Sequence, residues 1–237
     1  MSTSVESCQV ALVTGATGGL GRAVMDLLAV RGVRCIGLAR HADAAAGIWE
    51  ADVTSEAEVS AAVARIATEW GRLDILVNCA AVVSTGDDLA LPPAEWDRVL
   101  AVNVVGTYLC CRYAAGPMRQ QRYGRIVNVS SIAGRAFSQT ASVVYTASKY
   151  AVIGLTRQLA ARLGPSGITV NCVAPSQFET PLLVQSVPAE VRARLAAANP
   201  TGRLGQPADM AAVIGFLASG PAGYMNGAIV DVNGGTW

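Results

Sequence analysis

Histidine and charged residues are scarce in this sequence of 237 residues. His41 is the only histidine, and Asp, Glu, Lys and Arg together make up 15%. The six cysteines form no Cys-x-x-Cys pair and have no spacing typical of metal ligands, so a structural zinc site is not expected. The 18 basic and 17 acidic residues are interspersed without a basic stripe, which argues against a nucleic-acid-binding protein.

Apolar runs long and uninterrupted enough to span a bilayer are also missing, and residues 1–6 lack the basic and then apolar pattern of a secretion signal. We therefore expect a cytoplasmic protein with reduced thiols and no membrane partner. Hydrophobic residues make up 52%, which is enough for a sizeable core and argues against disorder.

Short apolar strands alternate with amphipathic helices along the whole chain. The predicted strands are 10–14, 34–39, 48–52, 73–78, 125–130, 168–174 and 228–232. Thr54 or Ser55 is expected to cap the helix that follows the third strand, with Ser55-x-x-Glu58 as a capping box. A long helix is predicted from about 93 to 121, and 175–207 is predicted to be mostly loop with a helical piece near 188–198. This alternation is typical of an α/β fold, a Rossmann-type doubly wound parallel sheet of about seven strands with helices on both faces. With no linker composition, we expect a single domain, 1–237, with a small substrate-loop segment at about 176–207.

A glycine-rich turn follows the first predicted strand and precedes a helical pattern. It reads Gly15-Ala-Thr17-Gly-Gly19-Leu20-Gly21. Free N–H groups and the helix dipole at a helix N-terminus favour negative charge, and glycine allows the backbone to approach a pyrophosphate closely. The pattern predicts a dinucleotide-phosphate site, and the alternative is a purely structural turn.

Tyr145 and Lys149 open an apolar, helix-like run and lie one helical turn apart on the same face. An unperturbed phenol has a pKa of about 10, and an ammonium group within a few Å favours the phenolate. The pair is therefore a candidate proton donor to a carbonyl. By itself this spacing is a weak signal, and an amphipathic surface pair is the alternative.

Several motifs occur together and in order along the chain. They are Thr14-Gly15-x-x-x-Gly19-x-Gly21, Asp52-Val53, Asn78-Cys79-Ala80-Ala81, Asn103, Ser131, Tyr145-x-x-x-Lys149 and Pro175 to Thr180. Over essentially its whole length the sequence resembles the short-chain dehydrogenase/reductase family. Residues 202–219 and the ending Val232-Asn233-Gly234-Gly235 are especially similar to bacterial β-ketoacyl-carrier-protein reductases.

The resemblance implies a catalytic role for four residues. Tyr145 would protonate the carbonyl oxygen or deprotonate the alcohol, and Lys149 would lower the Tyr145 pKa and hold the ribose hydroxyls. Ser131 would donate a hydrogen bond to the carbonyl, with Ser130 as the competing choice. Asn103 would keep in place a water that passes protons to Lys149.

The resemblance also implies a set of cofactor contacts. Asp52 would accept from the adenine amino group beside the Val53 backbone. Asn78 and Ala80 would line the adenine-side ribose. Phe178 and Thr180, which follow Pro175, would line the nicotinamide carboxamide. Ala81 and Ser176 replace the glycines usual in two family motifs, from which we expect altered affinity rather than lost activity.

The choice of nicotinamide cofactor depends on the end of the second strand. NAD-binding members place an acidic residue there, whereas this chain has Ala39 followed by Arg40, which is suited to a phosphate. His41 adds a second polar group, but Gly18 stands where another basic residue is often found. We favour NADP(H), with NAD(H) possible; the alternative is a solvated loop arginine.

The predicted function is hydride transfer between NADP(H) and a ketone, 3-oxoacyl substrate or secondary alcohol. The alternatives are an NAD(H)-dependent alcohol dehydrogenase of the same family and a non-catalytic nucleotide sensor. The expected partners are a small-molecule substrate and other copies of the chain in a homotetramer or dimer. The substrate pocket is expected from Phe137, Gln139, Val143, Phe178 and 182–195. A carrier protein would need a basic entrance, for which Arg119, Arg122 and Arg125 are candidates, although a solvated helix end is the alternative.

Overall fold

Seven parallel strands form one sheet in the computed structural model, which describes residues 8–86, 88–138 and 140–236. The strands are β1 (Val10–Thr14), β2 (Arg34–Ala39), β3 (Ile48–Glu50), β4 (Ile75–Asn78), β5 (Gly124–Val129), β6 (Ile168–Pro175) and β7 (Ile229–Val232). Their order across the sheet is β3-β2-β1-β4-β5-β6-β7. The order reverses between β1 and β4, which makes this edge the switch point where such folds bind ligands. The predicted Rossmann-type sheet is therefore confirmed.

Helices cover both faces of the sheet. They are α1 (Gly19–Val30), α2 (Glu56–Trp70), α3 (Pro93–Leu100), α4 (Thr107–Gln121), α5 (Val143–Leu163), α6 (Pro181–Ser186), α7 (Ala189–Ala198) and α8 (Pro207–Leu217). Apolar side chains of α2, α4 and α5 form the core on one face. Those of α1 and α8 form the core on the other face. Each buried layer stabilises the sheet by removing apolar surface from water.

The long helix predicted at 93–121 is interrupted by a π-helical turn, Ala101–Gly106, between α3 and α4. Gly106 lies against Val53, and a Cβ at Gly106 would come within 2.8 Å of the Val53 side chain. The π turn contains Asn103, and such turns often mark functional sites. Apolar periodicity alone does not predict a single extra residue in a turn.

The segment predicted to be mostly loop at 175–207 contains the helical piece expected near its middle, α7, and a further helix, α6, that the sequence did not predict. Thr180 is the N-cap of α6, where its hydroxyl accepts a hydrogen bond from the Leu183 N–H at 3.2 Å. Pro181 occupies the first helical position, where proline is favoured. Six residues are too few for a periodic apolar pattern.

The continuous helical stretch from Pro93 to Gln121 passes a length and composition test for a membrane span, with a mean hydropathy of 1.3 over its most apolar window. This differs from the expectation that no run would qualify. Half of that window is buried inside the fold. Such burial against the sheet and α5 is typical of a core helix, because a spanning helix would present its apolar side chains to lipid.

Candidate active site

A cleft of about 550 Å³ opens at the carboxyl ends of β1, β2 and β4, at the switch point of the sheet. Its walls come from the glycine-rich turn, the ends of β2 and β3, the loop after β4 and one face of α3 and the π turn. Of the predicted cofactor residues, Gly15, Thr17, Arg40, Asp52, Val53 and Ala80 line it. The volume lies within the range of small-molecule and cofactor sites.

In the glycine-rich turn, neighbouring backbone atoms leave no room for a side chain at Gly15 or Gly21. Gly15 has φ +65°, and a Cβ there would lie 2.8 Å from the Ala80 backbone nitrogen. A Cβ at Gly21 would collide with the Gly15 carbonyl oxygen. Gly19, Leu20 and Gly21 begin α1, whose N-cap residue Gly18 offers no side-chain cap. The first N–H groups of α1 are therefore suited to a phosphate.

Asp52 reaches the cleft with a fixed and ionised carboxylate. Its Oδ1 accepts hydrogen bonds from the Thr54 N–H at 2.8 Å and the Thr54 hydroxyl at 2.7 Å. These bonds lower the pKa of Asp52, and the nearby Arg40 charge lowers it further. The carboxylate is thus oriented before any ligand binds, as acceptance from an amino group requires.

Two predicted cofactor residues have side chains that the structure does not bring to the cleft. Asn78 is buried, and its Nδ2 donates to Asn128 Oδ1 at 2.8 Å in the core between the sheet and α5. Phe178 packs its ring against Gly205 and lines a separate cavity of about 330 Å³. Only the backbones of these residues remain available for the predicted contacts, because strand alternation and the turn at 176–180 point their side chains away.

The segment after β6 reaches the start of α1. Pro175 ends β6 and pairs with Val232 of β7. A Cβ at Gly19 would lie 2.7 Å from Pro181 and 3.4 Å from Thr180. The Ser176 hydroxyl donates to the Asn233 carbonyl at 3.1 Å, which connects this segment to the end of β7. Ala81, the other residue that replaces a glycine usual in the family, lies in the wall of the cleft.

Tyr145 and Lys149 lie together on α5, with the Lys149 Nζ 5.5 Å from the centroid of the Tyr145 ring. Lys149 is 3% exposed, and its Nζ donates a hydrogen bond to the Val129 carbonyl at 3.0 Å. An ammonium group has three N–H donors, so two remain for a ligand. The charge is held at the end of β5, where a nucleotide ribose is expected.

The two serines that follow β5 have different surroundings. Ser130 is 2% exposed, and its hydroxyl donates to the Lys149 carbonyl at 2.8 Å, so its proton is already used. Ser131 is only partly buried, and its Oγ accepts from the Ala133 N–H at 3.1 Å. Because that bond uses an oxygen lone pair, the Ser131 hydroxyl proton remains free to donate to a carbonyl.

Asn103 fixes the loop after β4 to α5. Its Oδ1 accepts from the Val82 N–H at 2.8 Å, and its Nδ2 donates to the Val82 carbonyl at 2.9 Å and to Ser148 Oγ at 3.0 Å. Ser148 in turn donates to the Tyr145 carbonyl at 2.6 Å. Both side-chain N–H groups of Asn103 are bonded to protein, so the side chain connects the loop after β4 to the first turn of α5 through Ser148.

Sequence reasoning missed two contributors to this region. Ser148, inside the Tyr145-to-Lys149 motif, connects Asn103 to Tyr145; its signal was a hydroxyl in an apolar helical run. Arg98 lines the cleft, and its guanidinium binds the Glu95 carboxylate through two hydrogen bonds at 2.7 and 2.8 Å. These two hydrogen bonds from Arg98 lower the pKa of Glu95 to about 2. In the sequence, Arg98 is indistinguishable from a solvated helix residue.

The basic entrance considered for a carrier protein lies at the opposite end of the molecule. Arg119 and Arg122 are at the carboxyl end of α4, and Arg125 is at the amino end of β5. Arg125 is buried, and its guanidinium donates to the carbonyls of Gly124 at 2.9 Å and Ser219 at 3.3 Å. These residues therefore form no entrance to the cleft.

Comparisons with known proteins identify the class. A family profile described as "Enoyl-(Acyl carrier protein) reductase" matches residues 15–236. The cis-4-hydroxycyclohexanecarboxylate dehydrogenase of Sinomonas cyclohexanicum is 42% identical over 96% of both chains. The 3-oxoacyl-[acyl-carrier-protein] reductase FabG of Vibrio cholerae is 34% identical over 97% of both. The solved structure of ElxO with NADP bound has a TM-score of 0.90, at 28% identity, and covers 96% of this chain and 98% of its own.

Fold, cleft and motif residues together define a nucleotide-dependent oxidoreductase of the doubly wound α/β class. The chain belongs to the short-chain dehydrogenase/reductase family, as its motifs predicted. It is accordingly an NAD(P)-dependent enzyme that acts on carbonyl and alcohol groups.

Proposed function

We propose that the protein transfers a hydride between NADP(H) and a ketone, 3-oxoacyl group or secondary alcohol, with Tyr145 as the general acid or base. The observation that carries the proposal is that Lys149 lies beside the Tyr145 ring and donates a hydrogen bond to the carbonyl of Val129, two residues before Ser131. NADPH, when bound, supplies the hydride. The protein's part is to position the carbonyl and to provide a proton on its oxygen.

Each catalytic residue has one task in this proposal. The Tyr145 hydroxyl delivers its proton to the substrate oxygen, and the free Ser131 hydroxyl proton donates to the same oxygen. Their combined hydrogen bonds stabilise the negative charge that develops there. The Lys149 Nζ is held by the Val129 carbonyl beside the Tyr145 ring, where its positive charge would attract the oxygen anion left on Tyr145 after proton transfer. In the oxidative direction the same phenolate accepts the alcohol proton.

The predicted cofactor residues would bind different parts of the nucleotide. The turn from Gly15 to Gly21 with Thr17 and Leu20 would hold the pyrophosphate, and Asp52 with Val53 the adenine. Ala80 would line the ribose, and the backbone at Asn78, Pro175, Phe178 and Thr180 would complete the site. The segment 176–207, which contains α6 and α7, would cover the substrate.

Arg40 supports the choice of NADP(H) over NAD(H). Its side chain is exposed at the lip of the cleft, directly after the buried Ala39, and its charge already acts on Asp52. A guanidinium binds a phosphate through two parallel hydrogen bonds, whereas a ribose hydroxyl gains little from it. We therefore infer that Arg40 contacts the 2′-phosphate of the cofactor.

Replacing Arg40 by Leu should weaken NADPH binding by about 10- to 100-fold and leave NADH binding almost unchanged. Charge-assisted hydrogen bonds contribute about 1.5–3 kcal/mol, which corresponds to that range. Parallel fluorescence titrations with both cofactors measure the effect. Arg162→Leu, which removes an exposed arginine in the last turn of α5, is the matched control. Equal weakening for NADPH and NADH, or tighter NADH binding by the wild type, would contradict the assignment.

The relatives favour two substrate types, a cyclic secondary alcohol and a 3-oxoacyl thioester. Among the residues expected to shape the pocket, Phe137 and Val143 are exposed apolar side chains, and Gln139 lies outside the described residues. A reductive screen should compare cyclohexanone, 4-oxocyclohexanecarboxylate and an acetoacetyl thioester with NADPH. Turnover of none of them together with tight NADPH binding would favour the nucleotide-sensing alternative instead.

We also propose that the chain forms a homotetramer in the cytoplasm. Val105 and Tyr108 near the start of α4 and Tyr150 on α5 are exposed apolar residues, as subunit contacts through the longest helices require. All six cysteines are free thiols, which fits a reducing compartment. Sedimentation of the purified protein tests the assembly, and a monomer at micromolar concentration would overturn it.

A further inference from the structure

The helix that carries the catalytic pair is held at its start by a distant loop. Three of the contacts of the loop after β4 lead towards α5: Val82 bonds to the Asn103 side chain, the Ser84 carbonyl accepts from the Ser142 N–H at 2.8 Å, and the Asp88 carboxylate accepts from the Val143 N–H. Val143 is the first residue of α5. Tyr145 is two residues further along, in the same first turn.

The Asp88 carboxylate caps α5. Its Oδ1 accepts a hydrogen bond from the Val143 N–H at 2.7 Å, although 55 residues separate the two in sequence. The first N–H groups of a helix have no partner within it, and a carboxylate at this end also complements the helix dipole. The contact is therefore stabilising on both grounds.

Ser142, the residue at the N-cap position, does not cap α5 with its own side chain. Ser142 is a residue type that normally caps a helix, but its side chain makes no cap hydrogen bond, and its hydroxyl is buried without a partner among the described residues. Within 8–86, 88–138 and 140–236, Asp88 is thus the only side chain that accepts a hydrogen bond from a first-turn N–H of α5. Loss of Asp88 would therefore leave the first turn of α5 uncapped, because the Ser142 side chain does not cap it.

We propose that Asp88 is a positioning residue for Tyr145: by capping Val143 it fixes the first turn of α5 and with it the Tyr145 hydroxyl. This inference rests on the proposed role of Tyr145. Proton transfer depends on small displacements, and a misplacement of about 1 Å can cost on the order of 100-fold in rate. Ser148 and Asn103 hold the carbonyl of Tyr145, and Asp88 holds the turn from the other side.

The test compares Asp88→Ala, which removes the acceptor, with Asp88→Asn, which keeps an oxygen at the same place. The single-turnover rate of NADPH oxidation is measured in each and normalised to the number of NADPH-binding sites. Asp88→Ala should lose about tenfold or more in this rate with unchanged NADPH affinity, and Asp88→Asn should recover most of it. Normalisation removes any effect of a smaller folded fraction.

Ser55→Ala is the matched control, because the Ser55 hydroxyl caps α2 by accepting from the Glu58 N–H at 3.4 Å. It should lower the thermal midpoint by roughly 2–4 °C, as loss of a cap does, without changing the normalised rate. A wild-type rate in Asp88→Ala, or equal losses in the Ala and Asn variants, would overturn the proposal.

Amide exchange provides a readout that needs neither turnover nor a variant. In the wild-type protein the Val143 N–H should exchange more slowly than an unbonded loop amide. Exchange at the unbonded rate would overturn the capping contact itself. If the wild type shows this protection and turns over no carbonyl, the proposed function fails while the contact stands, so the two failures are distinguishable.

Discussion

The Tyr145→Phe protein is expected to bind NADPH with nearly wild-type affinity and to turn over about a thousandfold more slowly. The substitution removes only the hydroxyl, so the ring remains beside the Lys149 ammonium and the cleft is unchanged. General acid–base catalysis contributes roughly 10²- to 10⁴-fold, and the hydrogen bond to the developing oxyanion is lost with it. Steady-state kinetics and a fluorescence titration on the same preparation separate the two effects.

Tyr150→Phe provides the control for this prediction on the same helix. The Tyr150 hydroxyl donates to the Ala136 carbonyl at 3.1 Å and lies on the exposed side of α5. Its removal should change kcat by less than about twofold, because a surface hydrogen bond contributes roughly 1 kcal/mol to stability and nothing to the proton transfer. Full activity of Tyr145→Phe would refute the assigned role, and with it the inference about Asp88.

The Gly21→Ala protein should lose NADPH binding by at least about 100-fold. The added Cβ would collide with the Gly15 carbonyl oxygen, so the turn must open and the first N–H groups of α1 must move away from the pyrophosphate. Because these N–H groups bind the anion as a set, displacement of the turn weakens several hydrogen bonds together. Titration with NADPH measures the loss, and far-UV circular dichroism shows whether the fold persists.

Gly116→Ala is the control for this prediction: it is the same substitution at a position where the structure leaves space for a Cβ. Gly116 lies in α4, and a Cβ there would meet no atom within 4 Å. Alanine in a helix interior is favoured over glycine by roughly 0.5–1 kcal/mol, so this variant should melt slightly higher and bind NADPH normally. NADPH affinity of Gly21→Ala within threefold of wild type would mean that the turn does not bind the cofactor as proposed.

The sequence predicted the layers of this fold because each layer follows from local patterns. The predicted bounds of β1 and β2 match the structure to the residue, and Ser55, one of the two expected caps beside Thr54, is the N-cap of α2, since apolar runs and capping residues are local signals. The reciprocal half of that predicted capping box differs, because the Glu58 carboxylate accepts from the Asp52 N–H instead.

The site depends on contacts that no local pattern contains. The directions of the Asn78 and Phe178 side chains follow from strand register and from the turn after β6, and neither can be deduced from a motif match. The Asp88 cap joins segments 55 residues apart. The assignments of Tyr145, Lys149, Ser131 and Asn103 remain predictions, now with geometry that the kinetic experiments can test.

Three consecutive residues at the end of β5 all serve the start of α5. The Val129 carbonyl accepts a hydrogen bond from the Lys149 Nζ, the Ser130 hydroxyl donates to the Lys149 carbonyl, and Ser131 is the residue that we propose donates to the substrate oxygen. The proposed reactive groups thus lie on one strand–helix junction, whereas α6 and α7, which we propose cover the substrate, lie later in the chain. Reactivity and substrate selectivity would then depend on separate segments. Exchanging 181–198 for the corresponding segment of a relative should change which ketones are reduced, while the proton donor on α5 stays intact.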